Sequence, residues 1–140
     1  VAQIGTRPDR GFQLVDGEWL RQLANGNNLS FANGITAKAS GNQTTAVVLS
    51  ANPNLIEVDT VASTHDSVAL PFAAAGSVRM IFNNGAQSLD IWASPNTNPL
   101  TGTTDVINKT TNGTAYTITT GQAVIFFCAK NGVWAANKTA

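Results

Sequence analysis

From about Leu29 to the C-terminus, short runs of apolar and β-branched residues alternate with clusters of Asn, Gly, Thr and Pro. Such runs, punctuated every 8–12 residues or so, predict an all-β sandwich or barrel. Strand-like segments fall at 30–39, 44–49, 54–61, 67–70, 78–82, 88–93, 106–107, 116–119, 123–129 and 133–136. In 54–61 the alternation is partial: Ile56, Val58 and Thr60 share one face, and Leu55, Glu57, Asp59 and Val61 the other. The segments 78–82 and 88–93 flank Asn84-Gly85, a strong hairpin signal, and Asn131-Gly132 predicts a second tight turn between the last two strands. No internal repeat stands out, and the Thr- and Asn-rich stretch 96–120 is biased in composition without being an array. The expected fold is therefore an antiparallel β-sandwich of jelly-roll type over residues 29–140.

Val78–Phe82 and Ala123–Ala129 carry bulky apolar residues on both faces. One face of a strand in an antiparallel sandwich commonly meets water. These two segments are thus expected to be covered on both sides, either by a symmetric subunit interface or by an arm or loop of the same chain.

Residues 1–28 read differently. Arg7, Asp9, Arg10, Asp16, Glu18 and Arg21 cluster there, in a chain otherwise poor in charge. Residues 4–15 lack a period and contain Pro8, which predicts an extended arm. Residues 16–26 predict a short helix, with Asp16 as N-cap, Gly26 as its end, and Trp19, Leu20 and Leu23 as its apolar face. So short a helix needs something to pack against.

The chain has 140 residues, enough for one core without disulfides or metal. Charged residues make up 11%, against roughly a quarter in an average soluble protein, and the net charge is zero. Neither nucleic acid nor an anionic membrane is an expected partner. No apolar run is long enough to span a bilayer as a helix. The N-terminus lacks the apolar core of a signal peptide.

Candidate chemistry is sparse. Cys128, the single cysteine, sits in an apolar run and reads as a small core residue. His65, the single histidine, lies in Ser63-Thr-His-Asp-Ser67, which reads as a polar turn rather than a catalytic triad. Glu57 and Asp59 share a strand face and read as solvated carboxylates. No metal-ligand spacing or nucleotide-binding fingerprint is present, so no catalytic residue, metal or cofactor is expected. Asn-x-Ser/Thr sequons at Asn28, Asn42, Asn108, Asn112 and Asn137 follow from the Asn/Thr-rich composition. Trp92, Trp134 and Tyr116 sit on predicted strands. They are expected in the core, and exposure of either tryptophan beside polar groups would instead favour carbohydrate binding.

The segment from Asp66 to Trp92, followed by Gly121-Gln-Ala-Val-Ile-Phe-Phe-Cys-Ala-Lys-Asn-Gly-Val-Trp134, resembles small β proteins encoded among tailed-phage structural genes, as does Val15–Gly26 upstream. The resemblance implies a virion component, a capsid decoration (cement) protein. It would be a homotrimer on the outer capsid surface, made in the host bacterial cytoplasm and bound to the major capsid protein through its N-terminal arm. On that expectation Arg7, Asp9, Arg10 and Phe12 contact the shell, while Trp19, Leu20 and Leu23 anchor the arm, with docking of the arm on its own domain as the alternative. The competing function is a receptor- or carbohydrate-binding module of a tail fibre or head appendage, using the 95–102 loop or exposed aromatics.

Overall fold

A computed structural model describes residues 30–140. The predicted arm and helix of residues 1–28 lie outside the described residues. The strands are β1 (Phe31–Thr36), β2 (Val47–Val48), β3 (Leu55–Thr60), β4 (Asp66–Ala69), β5 (Val78–Asn83), β6 (Leu89–Trp92), β7 (Thr97–Asn98), β8 (Thr103–Thr104), β9 (Val106–Ile107), β10 (Tyr116–Ile118), β11 (Ala123–Lys130) and β12 (Val133–Lys138). They form a six-stranded sheet in the order β1-β3-β5-β11-β12-β9 and a four-stranded sheet in the order β10-β6-β4-β2, with a small β7-β8 ribbon.

The order defines stacked coils. Each of the pairs β1/β2, β3/β4 and β5/β6 places one strand in the large sheet and the next in the small one. Successive coils then pair in parallel. Phe31 lies beside Leu55 and Leu55 beside Met80 in the large sheet, and Val47 beside Val68 and Val68 beside Ile91 in the small one. Equivalent positions recur roughly every 24 residues. The protein is a β-solenoid of stacked parallel coils. Antiparallel strands close the stack at one end: β10 on β6 and β11 on β5, with β12 folding back on β11.

This corrects the expectation of an antiparallel jelly-roll sandwich. The decisive segment is the one around Asn84-Gly85. A tight two-residue hairpin of type I′ needs positive φ at both central residues, and neither Asn84 nor Gly85 has it. Instead β5 and β6 part into different sheets, and 84–88 is a corner between them. The buried Asn83 side chain holds that corner, donating to the Gln87 and Ile118 carbonyls at 2.8 and 3.3 Å and accepting from the Gly85 N–H at 3.0 Å. The corner rests on the coil beneath: Asn84 N donates to the Val58 carbonyl at 3.0 Å and Ala86 N to Val61 at 3.1 Å. Asn131-Gly132, by contrast, does join two antiparallel neighbours, with Gly132 at φ 87°.

One apolar core fills the solenoid. Ile56, Val58, Ile81, Val124 and Phe126 reach it from the large sheet, and Val68, Leu89, Ile91 and Ile118 from the small one. Phe126 packs edge-on between Tyr116 and Trp134, with ring centroids 5.8 and 6.4 Å away. Trp134 is wholly buried, and its indole N–H donates to the Pro71 carbonyl.

Candidate interaction surface

Residues two apart on a strand share a face, so a large sheet whose inner face carries Ile56, Ile81, Val124 and Phe126 turns their neighbours outward. Those neighbours are apolar as well. Strand register aligns Phe31, Leu55, Met80 and Ile125 in one row across β1, β3, β5 and β11. Val78 and Phe127 form a second row on one side of it, and Phe82 and Ala123 a third on the other. Phe31 is 72% exposed, Val78 46%, Phe127 45% and Ile125 41%. At about 4.8 Å between strands and 3.3 Å per residue along them, the rows and their side chains cover on the order of 300–400 Å² in projection. That is the size of the largest apolar patch on a typical monomer, which is often functional.

The face is not flat. A hollow of about 340 Å³ opens over β1, β3 and β5, lined by Phe31, Leu55, Glu57, Met80 and Phe82 among others. A shallower one of about 240 Å³ lies over β5, β11 and β12, between Met80, Ile125 and Lys138. Met80 lines both. Among the described residues, Glu57 is the only charged residue lining the first hollow and Lys138 the only one lining the second, and the Lys138 ammonium lies over the Tyr116 ring and donates to the Thr117 carbonyl.

The polar groups elsewhere form structural ties. Asp66, buried at the start of β4, accepts from the backbone N–H groups of Ala62, Ser63 and Ser40 at 2.9, 3.0 and 3.1 Å. Burial alone would raise its pKa, but these three donors outweigh burial and hold the carboxyl below its ordinary value. Asp105, wholly buried, accepts from Ala73 N at 2.7 Å and from the Asn98 amide at 2.8 Å, and so ties the β7-β8 ribbon to the 71–76 return segment. Arg79 turns inward at the start of β5, and its guanidinium donates to the Ala51 and Val78 carbonyls. Burial lowers its pKa.

His65 meets Asp90. Its Nδ1 lies 2.9 Å from an Asp90 oxygen, and Thr117 Oγ1 donates to the other at 2.6 Å. A dyad of this kind would need an accessible nucleophile to act in acyl transfer. Ser67, beside Asp90 in the sheet, is sealed: its hydroxyl has no partner, and a Cβ placed on Gly41 would come within 2.1 Å of it. Burial pushes the Cys128 thiol pKa up, which opposes the reactive thiolate. Among the described residues no three His, Cys, Asp or Glu side chains gather to hold a metal, and no helix is long and apolar enough to cross a membrane.

Of the aromatic residues offered for sugar stacking, Trp134 is in the core and Tyr116 packs against Phe126 with Lys138 over its ring, while Trp92 is half-buried on the face of β6 opposite Leu89 and Ile91. Arg7, Asp9, Arg10, Phe12, Trp19, Leu20 and Leu23 lie outside the described residues. No family model, curated protein or solved structure matches the chain. The outer-face rows were missed in the sequence because they exist only across strands. The double-sided apolarity of 78–82 and 123–129 was their one visible trace.

Proposed function

We propose that this protein is a virion assembly module, a decoration protein of a phage head that binds the outer surface of the shell through contacts to the major capsid protein. The observation that carries the assembly reading is the largely apolar outer face of the six-stranded sheet, centred on Met80, where Glu57 is the charged residue lining the hollow over β1, β3 and β5. Left in water, that area costs free energy at about 25 cal/mol per Å², and burying it against another protein recovers it. The assignment to a phage head rests on the sequence resemblance through Asp66–Trp92 and Gly121–Trp134.

The mechanism is thermodynamic. A protein that binds the assembled shell and not its dissociated subunits stabilises the shell by mass action. A multimeric decoration protein adds avidity, because several weak contacts engage together. The solenoid suits this work: adjacent coils are tied by parallel backbone ladders in both sheets, so a pull on one coil is shared by the next.

The test is cosedimentation of the full chain with purified heads lacking decoration protein. Saturable binding that raises the shell's disruption temperature is the expected result. A folded protein that leaves the heads unbound and their stability unchanged would overturn the proposal.

A further inference from the structure

We infer that the hollow over β1, β3 and β5 receives an extended segment of the partner protein that carries an arginine or lysine two residues from an apolar anchor, with Glu57 as the counter-charge. The inference rests on the reading of this face as an assembly surface, and it names the chemistry of the segment bound there.

The hollow comes from a break in the outer rows. Phe31, Leu55 and Met80 stand side by side across the three strands, and Glu57 stands beside Phe82 in the next row. On β1 that row is interrupted. Ala32 pairs with Ile56 and Ile35 with Val58, so Asn33 and Gly34 together oppose Glu57. This is a β-bulge, and Gly34, at φ 71°, adds no side chain to it. The hollow of about 340 Å³ lies at the break, walled by Phe31, Leu55, Met80 and Phe82.

The charge in it has one sign. Glu57 is half-buried against those apolar walls and has no hydrogen bond or ion pair with any described residue. Asp59, two residues on and exposed, brings a carboxylate oxygen to 3.9 Å from where a Cβ on Gly34 would lie, so it borders the same bulge. No Lys, Arg or His lines the hollow. A carboxylate partly withdrawn from water without a partner favours a cation, and the Phe31 and Phe82 rings add surface on which a guanidinium or ammonium is attracted. The face supplies no such cation itself, because the Lys138 ammonium is held over Tyr116 and on the Thr117 carbonyl.

Spacing sets the form of the occupant. Leu55 and Glu57 are two apart on one strand, about 6.6 Å along it. An extended peptide repeats its side chains on one face at that same interval. A segment laid along β3 therefore sets an apolar side chain between Leu55 and Met80 and a basic one at Glu57. An acidic segment is repelled, and a wholly apolar one buries Glu57 unpaired.

The experiment follows the Met80 methyl signal by NMR in the full chain labelled with carbon-13 methyl-methionine, since Met80 is the single methionine. The probes are blocked five-residue serine peptides with leucine second and arginine fourth, with glutamate in place of the arginine, and with serine in place of the leucine. The expected result is a saturable shift with the leucine–arginine peptide below about 10 mM, weakened about tenfold by either replacement and reduced by added salt. Glu57→Gln should weaken it roughly three- to fivefold, the scale of one partly exposed ion pair. Glu57→Lys should abolish the preference for arginine over glutamate, and circular dichroism confirms that both variants are folded. A signal that responds to no peptide, or equally to the arginine and glutamate peptides, overturns the inference. So does a signal that shifts with protein concentration alone, which would give the hollow to a second copy. Purified heads separate the two readings. Head binding indifferent to Glu57→Lys defeats this inference and leaves the decoration reading standing, whereas a chain that takes the arginine peptide and ignores heads does the reverse.

Discussion

Gly85 lies directly on Val61. A Cβ added at Gly85 would fall 2.5 Å from both the Val61 Cβ and its backbone nitrogen. The contact joins the corner of the third coil to the corner of the second, and backbone atoms on one side of it leave little room for relief. Gly85→Ala should therefore destabilise the protein by about 1–3 kcal/mol, the usual cost of overpacking, and lower Tm by roughly 5–10 °C. A thermal melt checks this. An unchanged melt would mean that the coils do not stack closely at this corner.

Asp66 supplies a pH signature. Its folded pKa lies below the ordinary value of an aspartate, so its ionised form is stabilised in the native state. That stabilisation is complete above the unfolded pKa and is lost as pH falls through the folded one. Asp66→Asn should cost about 1–3 kcal/mol at pH 7, and the gap to the native protein should narrow as pH drops below about 4. Urea melts at pH 7 and pH 3 read the difference. A gap that stays constant would show that the three backbone donors do not favour the carboxylate.

Asp105→Ala leaves the Ala73 N–H and the Asn98 amide without their carboxylate in a wholly buried site. The expected loss is about 2–5 kcal/mol, with early hydrogen exchange in 71–76 and 97–104. A loss below about 1 kcal/mol would argue against the tie.

Ser67→Ala should behave in the opposite way. The Ser67 hydroxyl is buried without a hydrogen-bond partner, so its removal discards a desolvated polar group at little packing cost. Stability should be unchanged or rise by up to about 1 kcal/mol. A loss above that in a chemical melt would mean that the hydroxyl is bonded in solution.

Strand positions were legible in the sequence where bulky apolar and β-branched residues run together, as at 55–60, 78–83 and 123–130. Strand partners were not, because a period of two assigns faces without naming neighbours. The repeat was hidden by its corners. Residues 61–65 and 84–88 match in length, whereas the first coil takes 37–46 to turn, so the recurrence of equivalent positions drifts. Asn84-Gly85 misled for a physical reason: its glycine serves a close approach to Val61 rather than a left-handed turn. The His65–Asp90 contact joins neighbouring coils and is invisible until they are stacked. The apolar outer face was half legible, since the sequence showed that 78–82 and 123–129 are apolar on both sides but not that their outer rows continue into Leu55 and Phe31.

The most direct test of the account follows from a property of the chain: Met80, at the centre of the outer face, is its single methionine. Hydroxyl-radical footprinting followed by tandem mass spectrometry localises oxidation to that side chain, in the dilute free protein and in the protein bound to heads. The account predicts ready oxidation of Met80 when free and protection by tenfold or more when assembled. Equal oxidation in the two states would show that the face stays in water, and would contradict an assembly surface at this sheet.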